Sequence, residues 1–213
     1  MKLTLDYSGI LHKNIALMMC FGALLLILRF LLTGNLSFFF LVWNLFLATL
    51  PYFISQTIVR LPEARLPISG KLFLCLLWLL FLPNSPYIIT DLIHLHNDGS
   101  QQIWFDMFLV FVFALNGLLL GLLSLHNIYF FLGEKISLRT SKYIILLICL
   151  LSGYGIYLGR FLRFNSWDIL TKPLQLFSQM AYSIYEPKAW FMTLAFGTFL
   201  WILFLLLKSV RYP

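Results

Sequence analysis

The sequence predicts an all-α membrane protein. It would be a single polytopic bundle over residues 1–213 with six transmembrane helices, the third broken at Pro83–Pro86, and an amphipathic interfacial helix before the sixth. Three observations predict this. Of 213 residues, 61% are hydrophobic and only 11% charged, with mean hydropathy +0.90, which leaves too little polar surface for a soluble domain. The apolar blocks reach ~20 residues, the length a helix needs to cross a bilayer and too long for barrel strands. Ten of the 15 Lys and Arg fall in segments on one side of those blocks.

The first block, Ile15–Leu32, is too long for a signal peptide, contains Arg29 and lacks a small-x-small cleavage site, so it is predicted to be retained. Arg29 either snorkels outward or pairs with an acid. The second block is Leu36–Ile58. The third, Leu72–Thr90, is interrupted by Pro83 and Pro86, which cannot donate backbone hydrogen bonds. Irregular backbone survives in lipid only where protein or a wet cavity satisfies it. Asn84, Tyr87, Asp91, His94 and Asp98 then follow at steps of 3, 4, 3 and 4, one helical face. The fourth block, Trp104–Leu132, carries Asp106, Gly117 and Gly121 on one face; the fifth, Tyr143–Leu162, carries Gly155, Gly159 and Arg163 on another. Antiparallel packing through these glycine faces would bring Asp106 to Arg163 and aim Arg160 elsewhere, toward Asp91 or Asp168. Leu170, Leu174, Phe177, Ala181 and Ile184 recur at helical spacing, with Thr171 as cap and Pro173 in the first turn, which predicts the interfacial helix. The sixth block is Ala189–Leu207.

The basic bias places both termini in the cytoplasm and accounts for most of the net charge of +7, with no nucleic-acid partner needed. Acids distribute oppositely, with Asp91, Asp98, Asp106, Asp168 and Glu186 in the outer half. Ionisable groups at membrane depth are functional candidates by default. Asp91, His94, Asp106 and Asp168 are therefore candidate catalytic residues. Asn84, Tyr87, Arg160, Arg163 and Asn165 are candidates for substrate binding, since an Arg fork suits carboxylate or phosphate. Asp91 and His94, at i and i+3, are also candidate ligands for a divalent metal. A hydrogen-bonded cluster that merely pins the broken helix accounts for the same residues. Cys20, Cys75 and Cys149 lie singly in different blocks and read as apolar packing.

The blocks N-S-P-Y-I-I-T-D-L-I-H-L from Asn84, W-F-D at Trp104–Asp106 and Y-L-G-R-F-L-R-F-N-S-W-D at Tyr157–Asp168 resemble those of domain of unknown function 1361, a family of predicted bacterial membrane proteins. The resemblance covers roughly residues 70–170. It implies the helical bundle, the site and the bacterial cytoplasmic (inner) membrane, and it implies no reaction.

Three functions compete. One is an enzyme at the outer leaflet acting on a lipid or lipid-linked anionic substrate, toward which the two arginines incline the reading. The second is a non-catalytic membrane assembly or accessory protein. The third is a transporter, against which stands the absence of internal repeats and of polar groups crossing the inner half. No G-x-S-x-G, H-E-x-x-H, P-loop or C-x-x-C occurs.

Overall fold

The computed structural model describes residues 2–96 and 103–211, without the side chains of residues 2–10, 94, 96, 210 and 211. Asp98 and the side chain of His94, both singled out above, lie outside the described part. Among the described residues, six helices are long and apolar enough to cross a membrane: Leu11–Thr33, Phe40–Arg60, Ile68–Ile93, Ile103–Lys135, Leu138–Arg160 and Pro187–Ser209. Each coincides with one predicted block.

The chain runs through α1 (Lys2–Thr33), α2 (Phe40–Arg60), α3 (Ile68–Phe81), the single turn α4 (Asn84–Tyr87) and a 3-10 stretch, Ile88–His96. It continues through α5 (Ile103–Lys135), α6 (Leu138–Arg160), the short α7 (Asp168–Thr171), α8 (Pro173–Ser183) and α9 (Pro187–Arg211). α5 is the centre: 72% of its apolar window is buried, against 22–39% for the other spans. Its sequence is apolar around the whole circumference, as a buried helix must be. Around it pack α1, α2, α4 with the 3-10 stretch, α6 and α9.

Side-chain bonds define the two ends of the bundle. At the basic end Tyr52 meets His12 (3.2 Å), Lys135 pairs with Glu63, and Lys208 donates to the Tyr129 hydroxyl (2.8 Å). At the opposite end Arg29 reaches Asp106 and Arg160 reaches Asp91.

The glycine faces do not pack on each other. A Cβ on Gly117 would lie 2.7 Å from the Ser85 carbonyl, and one on Gly121 would lie 2.7 Å from Ser85 Cβ. A Cβ on Gly155 would collide with the Pro83 ring, and one on Gly159 would press on Tyr87. Both faces therefore close on the broken segment from two sides. The tight helix pair is instead α6 with α9, where Gly153 abuts the Thr193 carbonyl and Gly197 abuts Leu150 Cα.

α8 has Pro173 at its first position, as expected, but Thr171 does not cap it. The Thr171 hydroxyl donates to Asp168 (2.9 Å), and Lys172 occupies the cap position. Leu170, Leu174, Phe177 and Ile184 are exposed, while Leu176 and Ser183 are buried beneath the helix. The predicted apolar stripe thus faces outward, as an interfacial helix bathed in lipid requires.

Candidate functional site

The site grows from the break in the third span. In an unbroken helix Ser85 N–H would donate to the Phe81 carbonyl; here it donates to Leu82 (3.1 Å). The freed Phe81 carbonyl accepts Asn84 Nδ2 (2.9 Å), and the Leu80 carbonyl accepts the Ser166 hydroxyl (3.0 Å). Asn84 Nδ2 also donates to Ser166 Oγ (3.1 Å), and Ser85 donates to the Ala48 carbonyl (3.1 Å). An elbow that would leave carbonyls unmatched in lipid is thereby satisfied by its own side chains and by the segment after α6.

Beyond the elbow, the 3-10 stretch carries Asp91 into the bundle, where it is 1% exposed. Its carboxylate accepts Arg160 Nη1 (3.2 Å) and Asn44 Nδ2 (2.8 Å). Arg160 also donates from Nη2 to the Thr90 carbonyl (2.9 Å), and its Nη1 lies 3.5 Å from the Tyr87 hydroxyl. Of the two acids proposed for Arg160, Asp91 is its partner.

Asp106 does not pair with Arg163. It receives Arg29 in a two-pronged contact, Nε to Oδ1 at 3.1 Å and Nη2 to Oδ2 at 3.3 Å, while Nη1 donates to the Asn35 carbonyl (3.0 Å). The guanidinium rests on the Phe38 ring, 4.6 Å from its centroid. Of the two fates open to Arg29, pairing holds. Arg163 lies past the end of α6 in the left-handed region, φ +58°, so it has left the helical face that periodicity assigned to it. Asp168 is a turn former: the Asn165 backbone N–H donates to it at 2.7 Å. That bond, with the Thr171 hydroxyl and the nearby Lys172, holds its carboxyl below the usual range despite burial.

A cavity of about 690 Å³ opens beside the elbow between α2, α3 and α6, with α7 and α8 over its end. Its walls are apolar (Phe73, Leu76, Leu77, Leu80, Leu151, Leu158), and its polar lining gathers at the elbow: Asn44, Asn84, Tyr87, Asn165 and Ser166. Phe73 and Leu76 are 65% and 68% exposed, so the cavity is open along its side to the surroundings of the spans. Asn84, Tyr87 and Asn165 line this space; Asp91 stands behind Asn44 and Tyr87; Asp106, held by Arg29, is not part of the lining. Among the described residues no three His, Cys, Asp or Glu gather to hold a metal. Asn44 escaped the sequence reading. Its only signal was an amide with apolar neighbours on both sides inside a predicted span, a position that lipid would not solvate.

These features define a multi-pass membrane protein with a buried polar cluster at one end of its bundle and an apolar cavity beside it. The chain belongs to the family described as "Protein of unknown function (DUF1361)", whose model matches residues 43–203. That stretch contains all three blocks of the sequence resemblance and extends past them on both sides. No curated protein and no solved structure matches the chain.

Proposed function

We propose that this protein sits in the bacterial cytoplasmic membrane with both termini in the cytoplasm, and that its outer half holds a lipid or lipid-linked anionic substrate. The tail would lie in the cavity and the head beside Asn84, Tyr87, Asn165 and the two arginines. The single observation carrying this reading is the shape of the 690 Å³ space: apolar along its length, polar at one end, open sideways. The volume falls within the ~300–1,000 Å³ of ligand sites. Arg163 is exposed at the same end without an ion pair among the described residues, available to an anionic head.

Chemistry on the bound lipid, rather than storage, is supported by one chain of groups. The Tyr87 hydroxyl on the cavity wall adjoins Arg160, which adjoins Asp91. An anionic head that drew Arg160 away would release Asp91 to accept a proton. The test is mass spectrometry of lipids extracted with the purified protein. Wild type should retain a discrete lipid, Leu158→Trp should lose it by filling the cavity, and Asp91→Asn should retain it unprocessed. Equal lipid content in wild type and Leu158→Trp would end the proposal.

A further inference from the structure

A second hollow, about 270 Å³, lies on the other flank of α8, between the end of α6 and the start of α9. It is lined by Tyr157, Phe161 and Tyr182 and by one charge of each sign, Glu186 and Lys188. The Tyr154 hydroxyl, bonded to Ser183 at 2.7 Å, divides it from the large cavity, since Tyr154 lines one space and Ser183 the other. Tyr154, Tyr157 and Phe161 stack in succession, with centroids 6.1 and 5.5 Å apart, giving a rigid aromatic wall.

The two charges are the informative part. Glu186 and Lys188 stand two residues apart, separated by Pro187 at the first position of α9. Among the described residues neither takes part in an ion pair. The Lys188 ammonium lies over the Phe161 ring at 5.9 Å, on one side of the hollow. An aromatic wall flanked by an unpaired anion and an unpaired cation matches a ligand carrying both charges a few bonds apart. Aromatic faces attract an organic ammonium, a carboxylate complements it, and a lysine binds phosphate.

We propose that this hollow binds the ammonium–phosphate head of a zwitterionic phospholipid. The ammonium lies against the exposed ring of Tyr182, backed by the stacked wall, with Glu186 as counter-ion, and the phosphate lies on Lys188. The membrane is the source because the exposed apolar stripe of α8, with Phe177 and Ile184, places this end of the helix at the lipid interface. The site is separate from the cavity of the proposed function and does not depend on it.

Native mass spectrometry of the full chain, offered equal phosphatidylethanolamine and phosphatidylglycerol of matched chains, tests the proposal. Wild type should retain the ethanolamine lipid several-fold over the glycerol lipid. Glu186→Gln should bring that ratio close to one, and Lys188→Gln should weaken retention of both lipids about tenfold, with Lys188→Arg restoring it. All three substitutions are at exposed positions, so folding should survive, and Leu158→Trp should leave the ratio unchanged even if it empties the large cavity. If the lipid-free protein instead binds glycerophosphoethanolamine saturably, with the same sensitivity to the variants and no retained lipid, the head chemistry stands but its source is a free metabolite, which overturns the lipid assignment. Equal retention of both lipids by wild type, or a ratio indifferent to Glu186→Gln, overturns the site altogether.

Discussion

At the scale of single residues, charge governs the end of the bundle opposite the basic one. Arg29 and Asp106 are 2% and 1% exposed and touch at two points, so truncating either leaves a charge in a dry setting. Asp106→Ala should cost about 3–5 kcal/mol, whereas Arg29→Met with Asp106→Leu should recover most of the loss. A double-mutant cycle in detergent should show strong coupling for Arg29 with Asp106 and coupling near zero for Arg163 with Asp106. Arg163 makes a different prediction. A left-handed φ strains any residue with a Cβ, so Arg163→Gly should leave thermal stability unchanged or raise it by up to about 1 kcal/mol. Its lipid content should nevertheless fall if the guanidinium serves an anionic head. Asp168 sets a pH dependence. Its folded carboxyl titrates below the ordinary value, so its stabilisation is present above pH ~4 and fades as pH falls through the folded value. Asp168→Ala should cost about 1–3 kcal/mol at pH 6, and the gap from wild type should close in melts toward pH 3.

At the scale of elements, the third span is an elbow gripped by glycines. Gly117→Ala would drive a methyl into the Ser85 carbonyl, which belongs to backbone and cannot swing aside. That should cost about 1–3 kcal/mol and spread the elbow. Gly34 is the control: it has φ +65° but nothing within 4 Å of its would-be Cβ, so Gly34→Ala suffers only backbone strain, about 1 kcal/mol. A melt ranking Gly34→Ala as the more harmful would refute the packing account. The sequence made the elbow legible because two prolines in an apolar block leave few alternatives. It also revealed that Gly117, Gly121, Gly155 and Gly159 seek close neighbours, but not which neighbours. Small-residue spacing encodes a tolerance for approach, not a partner, and the elbow supplied surfaces to both faces at once.

At the scale of the whole molecule, hydropathy recovered all six spans because lipid length is a rigid ruler. The charge pairs were less legible. Arg160 was narrowed to two acids by helical geometry, since it lies on an intact helix. Arg163 was misplaced because that geometry stops where α6 ends. Arg29 found Asp106 across 77 positions, and no periodicity within either span carries that information. Orientation remains a prediction from the basic bias. With native cysteines removed, an impermeant maleimide applied to intact cells should label Asn35→Cys and spare Ser137→Cys, both at exposed positions at opposite ends of the bundle. The reverse pattern would turn the proposed site to the cytoplasm.

The Arg29–Asp106 pair has a bearing on biosynthesis. The family's matched stretch begins at residue 43, so α1 lies ahead of it, yet α1 carries the counter-ion for an acid well inside that stretch. A ribosome delivers α1 before α5, so a cation already waits in the membrane when the carboxylate of the central helix arrives. A chain starting at α2 would have to insert that carboxylate without the two-pronged Arg29 contact. Supplying α1 as a separate peptide during synthesis should then rescue insertion and yield, and an α1 peptide bearing Arg29→Ala should not.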